Sequence, residues 1–160
     1  GVALLLKEEA TGKIFLQRVK ITGSNAKPRI LEIFKDEVIG LPGIPTVSAL
    51  PLNGPEYMFF AVDKNVYCLD LNNITKPVTL YKSFDANVVA MNAESETYSC
   101  AHMAVGLENG EFYILMIYGA KNLSEEEKVI YPKHGAAYRA EERMGRIVDI
   151  KYKQLDHWNY

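Results

Sequence analysis

The histidines are the first place to look for chemistry in this sequence, and their spacing argues against several kinds of active site. His102, His134 and His157 are far apart, and none belongs to an H-E-x-x-H zinc motif. His102 stands in an apolar stretch, where a packed and hydrogen-bonded imidazole is the expected role. The sequence also contains no nucleophile elbow, phosphate loop or dinucleotide-binding glycine pattern. We therefore predict no metal site and no cofactor.

Some of the acidic residues occur in adjacent groups, among them those at 36–37, 125–127 and 141–142. Hydrolysis of a glycoside needs two carboxyl groups that face each other across a cleft at about 5 to 10 Å. Neighbours in one loop do not meet that requirement, so we expect solvated charges. The prediction is that the chain is not an enzyme.

The two cysteines, Cys68 and Cys100, fit no zinc or redox spacing. If the protein is exported, they could form one disulfide. The other interpretation is two buried free thiols, since an unbonded cysteine packs as a small apolar side chain. We favour the free thiols.

Aromatic side chains are better candidates for a binding surface. The chain has ten tyrosines, an excess that favours β-strands or stacking surfaces. Aromatic rings in loops stack on sugar rings or anchor a protein partner. The candidate ligand-binding residues are Tyr57 at a hairpin entry, Tyr138, and Trp158 with Tyr160 near the C-terminal end. Packing between sheets or over a sheet edge is the alternative role for each of them.

Composition narrows the range of partners. The chain has 160 residues, 48% hydrophobic and 24% charged, which is ordinary for one globular domain. The net charge of −2 gives no basic footprint for nucleic acid or anionic lipid. The apolar runs are far shorter than the roughly 20 residues of a membrane helix. We expect no nucleic-acid partner and no membrane insertion by this segment.

Three β-hairpins are predicted from apolar runs on either side of turn residues. The first turns at Thr11-Gly12, the second at Asp63-Lys64-Asn65 and the third at Asn109-Gly110. Hairpin turns need residues that tolerate positive φ, and Asn-Gly is the strongest short-range signal of such a turn. The same device therefore occurs three times in one chain.

Further strands are predicted next to these hairpins. Each hairpin is followed by a β-rich run, at 29–34, 78–84 and 128–132, and two are preceded by a small-residue strand, at 44–50 and 87–93. Small side chains suit an innermost strand at a crowded central channel. One such strand, a hairpin and an outer strand take a little over forty residues, about the period of a β-propeller blade.

The predicted fold is therefore all-β, with propeller-like repeats of four-stranded antiparallel blades. We expect units at about 2–43, 44–86 and 87–144, followed by a closing strand at 145–153. Three units form an incomplete ring, because propellers have at least about four blades. A β-sandwich of short strands is the alternative.

Two stretches of the third unit interrupt the β pattern. Residues 122–129 and 136–145 are rich in charged residues and alanine, and we expect them to be loop insertions rather than short helical turns. Ser124 with Glu127 three residues later would suit the start of such a turn.

The closing strand points to a partner. The first unit begins with its hairpin and lacks the inner strand that the other two units have. We expect residues 147–152 to supply that strand. Within a longer chain this pairing would close the ring. Between two copies of this chain it would give a homodimer by strand exchange with six blades.

Four of these pieces resemble a known family. YMFFAVDKNVYCLDL, NVVAMNA, VGLENGEFYILMIY and GRIVDIKYK follow one another as in the C-terminal, propeller-like region of the PKD-like family lipoproteins of Bacteroidetes. The resemblance covers about residues 57–153. None of its motifs is catalytic, and it assigns no functional residue.

The resemblance implies a piece of a longer, exported lipoprotein. Its N-terminal lipid anchor and immunoglobulin-like PKD-type domains would precede this chain, and it would lie at the outer membrane or cell surface. Because genes of the family often accompany glycan-uptake systems, the expected partner is a glycan or an envelope protein. The alternatives are an intracellular WD-repeat-like interaction scaffold, and part of a carbohydrate-active enzyme with its catalytic residues outside this chain.

Overall fold

The structure of the chain is a computed structural model, which describes residues 2–24, 27–51, 57–97, 100–118, 133–139 and 147–151. Within these ranges the chain is all-β, with eleven strands in three antiparallel sheets and no helix. It follows that no described helix could span a membrane. The predicted all-β antiparallel class is confirmed.

The first sheet contains three strands in chain order: β1 (Val2–Lys7), β2 (Ile14–Ser24) and β3 (Lys27–Glu37). β1 and β2 form the predicted first hairpin, with Leu5 opposite Leu16. Gly12 in the hairpin loop has φ +71°, a conformation that is unfavourable for residues with a β-carbon. β1 forms one edge of the sheet and, among the described strands, pairs only with β2.

The second sheet contains four strands in chain order: β4 (Val47–Ala49), β5 (Tyr57–Val62), β6 (Asn65–Asp70) and β7 (Thr79–Ser83). β5 and β6 form the predicted second hairpin. Their connection is a tight turn at 63–64, in which Asp63 has φ +52°. Asp is one of the few residues other than glycine that tolerate this region.

The third sheet has the same plan: β8 (Val88–Thr97), β9 (Cys100–Leu107), β10 (Phe112–Tyr118) and β11 (Lys133–Arg139). β9 and β10 form the predicted third hairpin, and Gly110 in its loop has φ +86°. The second and third sheets therefore each consist of one strand, a hairpin and an outer strand.

The end of the third sheet differs from the sequence prediction. The predicted outer strand at 128–132 and the predicted loop at 122–129 lie outside the described residues. The described outer strand, which pairs with β10 on the side away from β9, is β11, in which Tyr138 lies opposite Ile114 and Arg139 opposite Tyr113. The prediction that residues 136–145 are a loop is therefore wrong for 136–139, because β10 provides a strand partner for them.

The predicted closing strand is described only at 147–151, where the single chain forms no strand. The remainder of 145–153 lies outside the described residues. Ile147 contacts Gly106 of β9, so this segment lies against the third sheet of its own chain. Its pairing with β1 stays a prediction.

The second sheet lies between the other two, and β5 carries side chains into both layers. Phe59 belongs to a core cluster shared with the third sheet, and Phe60 to a cluster shared with the first sheet. Both rings are fully buried. A strand covered on both faces reads as a continuous apolar run, which explains the sequence YMFFAV. The described strands form no closed ring, and three packed sheets are compatible with a sandwich as well as with a propeller segment.

Candidate functional site

A cavity of about 300 Å³ opens between the end of the first sheet and the linker 38–46 that leads to the second sheet. We call it the linker cavity. Its charged walls are Lys7, Lys13 and Glu37. Its apolar walls are Ile14, Val38, Leu41, Pro42 and Ile44. The cavity therefore combines an aliphatic surface with two amines and one carboxylate.

The strands of the first sheet position the charged wall. Lys13 directly precedes β2, and Glu37 ends the neighbouring strand β3. The backbone N–H of Val38 donates to the Ile14 carbonyl at 2.7 Å, which continues the strand pairing past Glu37. Lys13 Nζ lies 2.8 Å from Glu37 Oε2. The hydrogen bond to Glu37, and next the charge of Glu37, raise the pKa of the Lys13 amine and so favour its charged form.

The second sheet holds the opposite wall in place. The Val78 N–H donates to the Ile39 carbonyl at 2.8 Å, and the Thr46 N–H donates to the Ala61 carbonyl at 2.9 Å. Gly40 has φ +80°, which allows the linker to turn between these two attachments. Both walls of the linker cavity are thus fixed by hydrogen bonds to strands.

The loops of the second and third sheets form a second feature, which we call the loop cluster. It consists of the 63–64 turn and the loops 84–87 and 108–111. The Val88 N–H donates to the Asp63 carbonyl at 2.8 Å. Asn87 and Glu108 share two hydrogen bonds, one through the Glu108 N–H at 2.8 Å and one from Asn87 Nδ2 at 3.0 Å. The bond from Val88 to Asp63 ties the ends of the two sheets together, and the two bonds between Asn87 and Glu108 join the ends of β8 and β9 within the third sheet.

Glu111 in the loop cluster is buried, with 2% of its surface exposed. The Tyr113 hydroxyl donates to Glu111 Oε2 at 3.4 Å, and the Glu111 N–H donates to Asn109 Oδ1 at 3.1 Å. A buried carboxylate needs such partners because burial removes its hydration. Sequence analysis missed this residue, because a glutamate next to an Asn-Gly turn has the pattern of a solvated loop residue.

The structure describes only part of the predicted aromatic site. Tyr57 is 7% exposed and belongs to the core cluster between the second and third sheets, which is the packing role considered for it above. The backbone of Tyr138 lies in β11, but its side chain lies outside the described residues. Trp158 and Tyr160 also lie outside them. The described residues therefore do not bring these four aromatic candidates together. The binding feature that the described residues do form, the linker cavity, was missed by sequence analysis.

His102 and Cys68, the other chemistry-bearing candidates whose side chains the structure describes, are in structural positions. His102 is half-buried in β9, opposite Glu94 of β8. In the described part of the chain, no group of three or more His, Cys, Asp or Glu could hold a metal ion. Cys68 is a buried free thiol, which confirms the free-thiol interpretation for that residue. The side chain of Cys100 lies outside the described residues.

Comparison with known protein families, with curated proteins and with solved structures finds no match for this chain. The interpretation of the linker cavity therefore depends on its own geometry.

Proposed function

We propose that the chain is a non-catalytic binding or assembly module in an exported lipoprotein of the bacterial cell envelope, with a role in glycan acquisition. The linker cavity is the observation that supports binding most directly. One wall is the end of the first sheet, and the other is the linker, which is hydrogen-bonded at Ile39 to Val78 and at Thr46 to Ala61 of the second sheet. Rigid strands that present loops are the usual framework of a binding site.

The walls of the cavity favour a ligand with an apolar surface and a negative charge. Lys7, Lys13 and Glu37 together contribute a net charge of +1, and Ile44 is a 58% exposed aliphatic side chain at the same site. Sugar rings have apolar C–H faces, and uronic acids add a carboxylate that lysine binds as a point charge. An acidic glycan is the ligand class that this combination fits best.

A propeller-like fold is part of the same proposal. The second and third sheets each run in chain order from a first strand to an outer strand. Thr46, next to the first strand of the second sheet, donates its hydroxyl to the Val88 carbonyl of β8 at 3.4 Å. Neighbouring first strands are what a propeller requires at its channel. Export, the lipid anchor and the location at the outer membrane or cell surface rest on the family resemblance.

The alternatives remain an intracellular WD-repeat-like scaffold and part of a carbohydrate-active enzyme with its catalytic residues elsewhere. A signal peptide and lipobox cysteine upstream in the natural gene would favour the envelope role over the scaffold. Cleavage of a glycan by the full-length protein would favour the enzyme.

The test is binding of the purified chain to an array that contains uronic-acid polysaccharides and neutral polysaccharides. The cavity variant is Lys13→Ala. Its matched control is Lys20→Ala, because Lys20 is also an exposed lysine and lies in β2. Seven residues separate it from Lys13, which is roughly 23 Å at the rise of a strand. Tyr138→Ala and Trp158→Ala test the aromatic candidates in parallel.

Binding to uronic-acid polysaccharides, lost in Lys13→Ala and kept in Lys20→Ala, is the expected result. Binding that is lost only in Tyr138→Ala or Trp158→Ala would move the site to the aromatic residues. Absence of binding to every glycan would overturn the glycan role and leave protein assembly.

A further inference from the structure

Among the described strands, the first sheet has no counterpart of the first strand that each of the other two sheets has. In the second sheet the hairpin strand β5 pairs with β4 on the side away from β6, and in the third sheet β9 pairs with β8 on the side away from β10. The corresponding strand β1 has β2 on one side and no described strand on the other. An edge strand presents unpaired N–H and C=O groups, which are a template for pairing with another strand.

The sequence of residues 147–151 has the pattern of a β-strand, but the segment is not part of a strand in the single chain. Their sequence, IVDIK, places Val148 and Ile150 on one side of an extended chain and Asp149 with Lys151 on the other. Ile147 is attached to the third sheet through its contact with Gly106. Val148 directly after it is 86% exposed. The segment is therefore anchored at one end and carries an uncovered apolar residue.

We propose that residues 147–151 of a second copy of this chain pair with β1, along the edge where no described strand lies, and complete the first sheet. The second sheet indicates the register, because Val47 at the start of β4 pairs with Ala61, the residue before the end of β5. The same antiparallel placement on β1 sets Ile147 opposite Leu6 and Val148 opposite Leu5.

This register gives Val148 an apolar environment. Paired residues of an antiparallel ladder share one face of the sheet. Leu5 packs against the core cluster between the first and second sheets, so Val148 opposite it would extend an established apolar layer. Ile150 would follow on the same face, opposite Ala3, and Asp149 would point to the other face beside Leu4.

The strand comes from a second copy because residues 147–151 and β1 lie far apart within one chain. Ile147 is attached to the third sheet, and the second sheet separates the third sheet from the first. Packed sheets lie about 10 Å apart, so the chain's own segment is roughly two layers away from β1. Two copies related by a twofold axis would each donate one segment and accept one.

The test measures the mass of the whole chain in solution by light scattering. We expect about twice the chain mass of 18.0 kDa. Val148→Pro and Asp149→Pro remove two successive N–H groups, and in an antiparallel ladder alternate residues face the neighbouring strand. One of the two proline variants should therefore weaken dimerisation at least tenfold. Val148→Ala and Asp149→Ala keep the N–H, so each proline variant is compared with the alanine variant at the same position.

A cysteine pair tests the register independently, with Cys100→Ala as the background. Leu4→Cys with Asp149→Cys should form a disulfide between two chains, whereas Leu4→Cys with Val148→Cys should not, because those side chains lie on opposite faces. A monomeric wild-type chain, a dimer unaffected by both prolines, or a disulfide formed within one chain would each overturn the proposal.

Discussion

Ile147 occupies the space that a side chain at Gly106 would need. A β-carbon placed at Gly106 would lie 2.7 Å from Ile147 Cγ2. Gly106 belongs to β9, opposite Phe112 of β10. The absence of a side chain in a central strand thus allows the described C-terminal segment to approach the backbone of the third sheet.

Gly106→Ala should displace Ile147 and lower the free energy of unfolding by about 1–3 kcal/mol, the usual cost of overpacking. Trypsin should also cleave faster after Lys151. The double variant Gly106→Ala with Ile147→Ala restores the space, so the two changes should be non-additive in urea unfolding. Strictly additive changes in the free energy of unfolding would show that contact with Ile147 is not the reason why glycine is needed at position 106.

The two faces of β5 allow each core layer to be tested separately. Phe59→Ala and Phe60→Ala each remove a fully buried ring, and each should lower the free energy of unfolding by about 3–5 kcal/mol. Leu80→Ala, at a residue that is 58% exposed in β7, is the control and should change it by less than about 0.5 kcal/mol. Urea titration measures all three.

Hydrogen exchange can then separate the two layers. Phe60 faces the first sheet, so Phe60→Ala should speed exchange mainly in β1, β2 and β3. Phe59 faces the third sheet and should affect β9 and β10. The same exchange pattern in both variants would contradict the assignment of the two rings to separate layers.

The hairpins were predictable because their signals are local. Gly12, Asp63 and Gly110 all have positive φ, and each stands in a turn that residue types alone indicate. β11 was not predictable in the same way. Its sequence, KHGAAYR, has little β preference, and it forms a strand because β10 offers an unpaired edge. Pairing with a neighbour then outweighs intrinsic preference.

The linker cavity was hidden for a similar reason. Lys7, Lys13 and Glu37 come from three different strand ends, and each one alone has the pattern of a solvated charge. Only the pairing of β1, β2 and β3 brings them to one place. The apolar wall around Leu41 and Ile44 depends on how the linker attaches to the second sheet, which no residue pattern specifies.

At Gly12, in the wall of the linker cavity, the cost of a positive φ can be measured without any steric clash from the new side chain. A β-carbon there would have no neighbour within 4 Å, but φ is +71°. Gly12→Ala should therefore lower the free energy of unfolding by about 1–2 kcal/mol through the left-handed backbone alone. Gly12→Asn should cost less, because asparagine tolerates this region. Equal losses for the two variants in thermal unfolding would contradict a purely conformational cost.

Cys68 and Tyr81 are both acids whose charged forms are disfavoured in the folded chain. Burial raises the pKa of the Cys68 thiol, and the charge of Asp70 adds to the rise. Burial likewise raises the pKa of the Tyr81 hydroxyl, with a further contribution from Cys68. Below their ordinary pKa values of 9.0 and 10.0, both groups are neutral in the folded and the unfolded chain, so their contribution to stability is fully present.

As pH rises through these values, the unfolded chain releases the two protons while the folded chain keeps them. The free energy of unfolding should therefore fall, with a slope that approaches about 1.4 kcal/mol per pH unit for each group. Urea titrations between pH 8 and 10.5 measure that slope. Tyr81→Phe should flatten it above pH 10, and Cys68→Ala should flatten it from pH 9, whatever each variant does to stability at pH 8. An unchanged slope in both variants would show that other groups cause the loss of stability.

In Cys100→Ala, where Cys68 is the single thiol, a thiol reagent at pH 8 should react only after urea unfolds the chain.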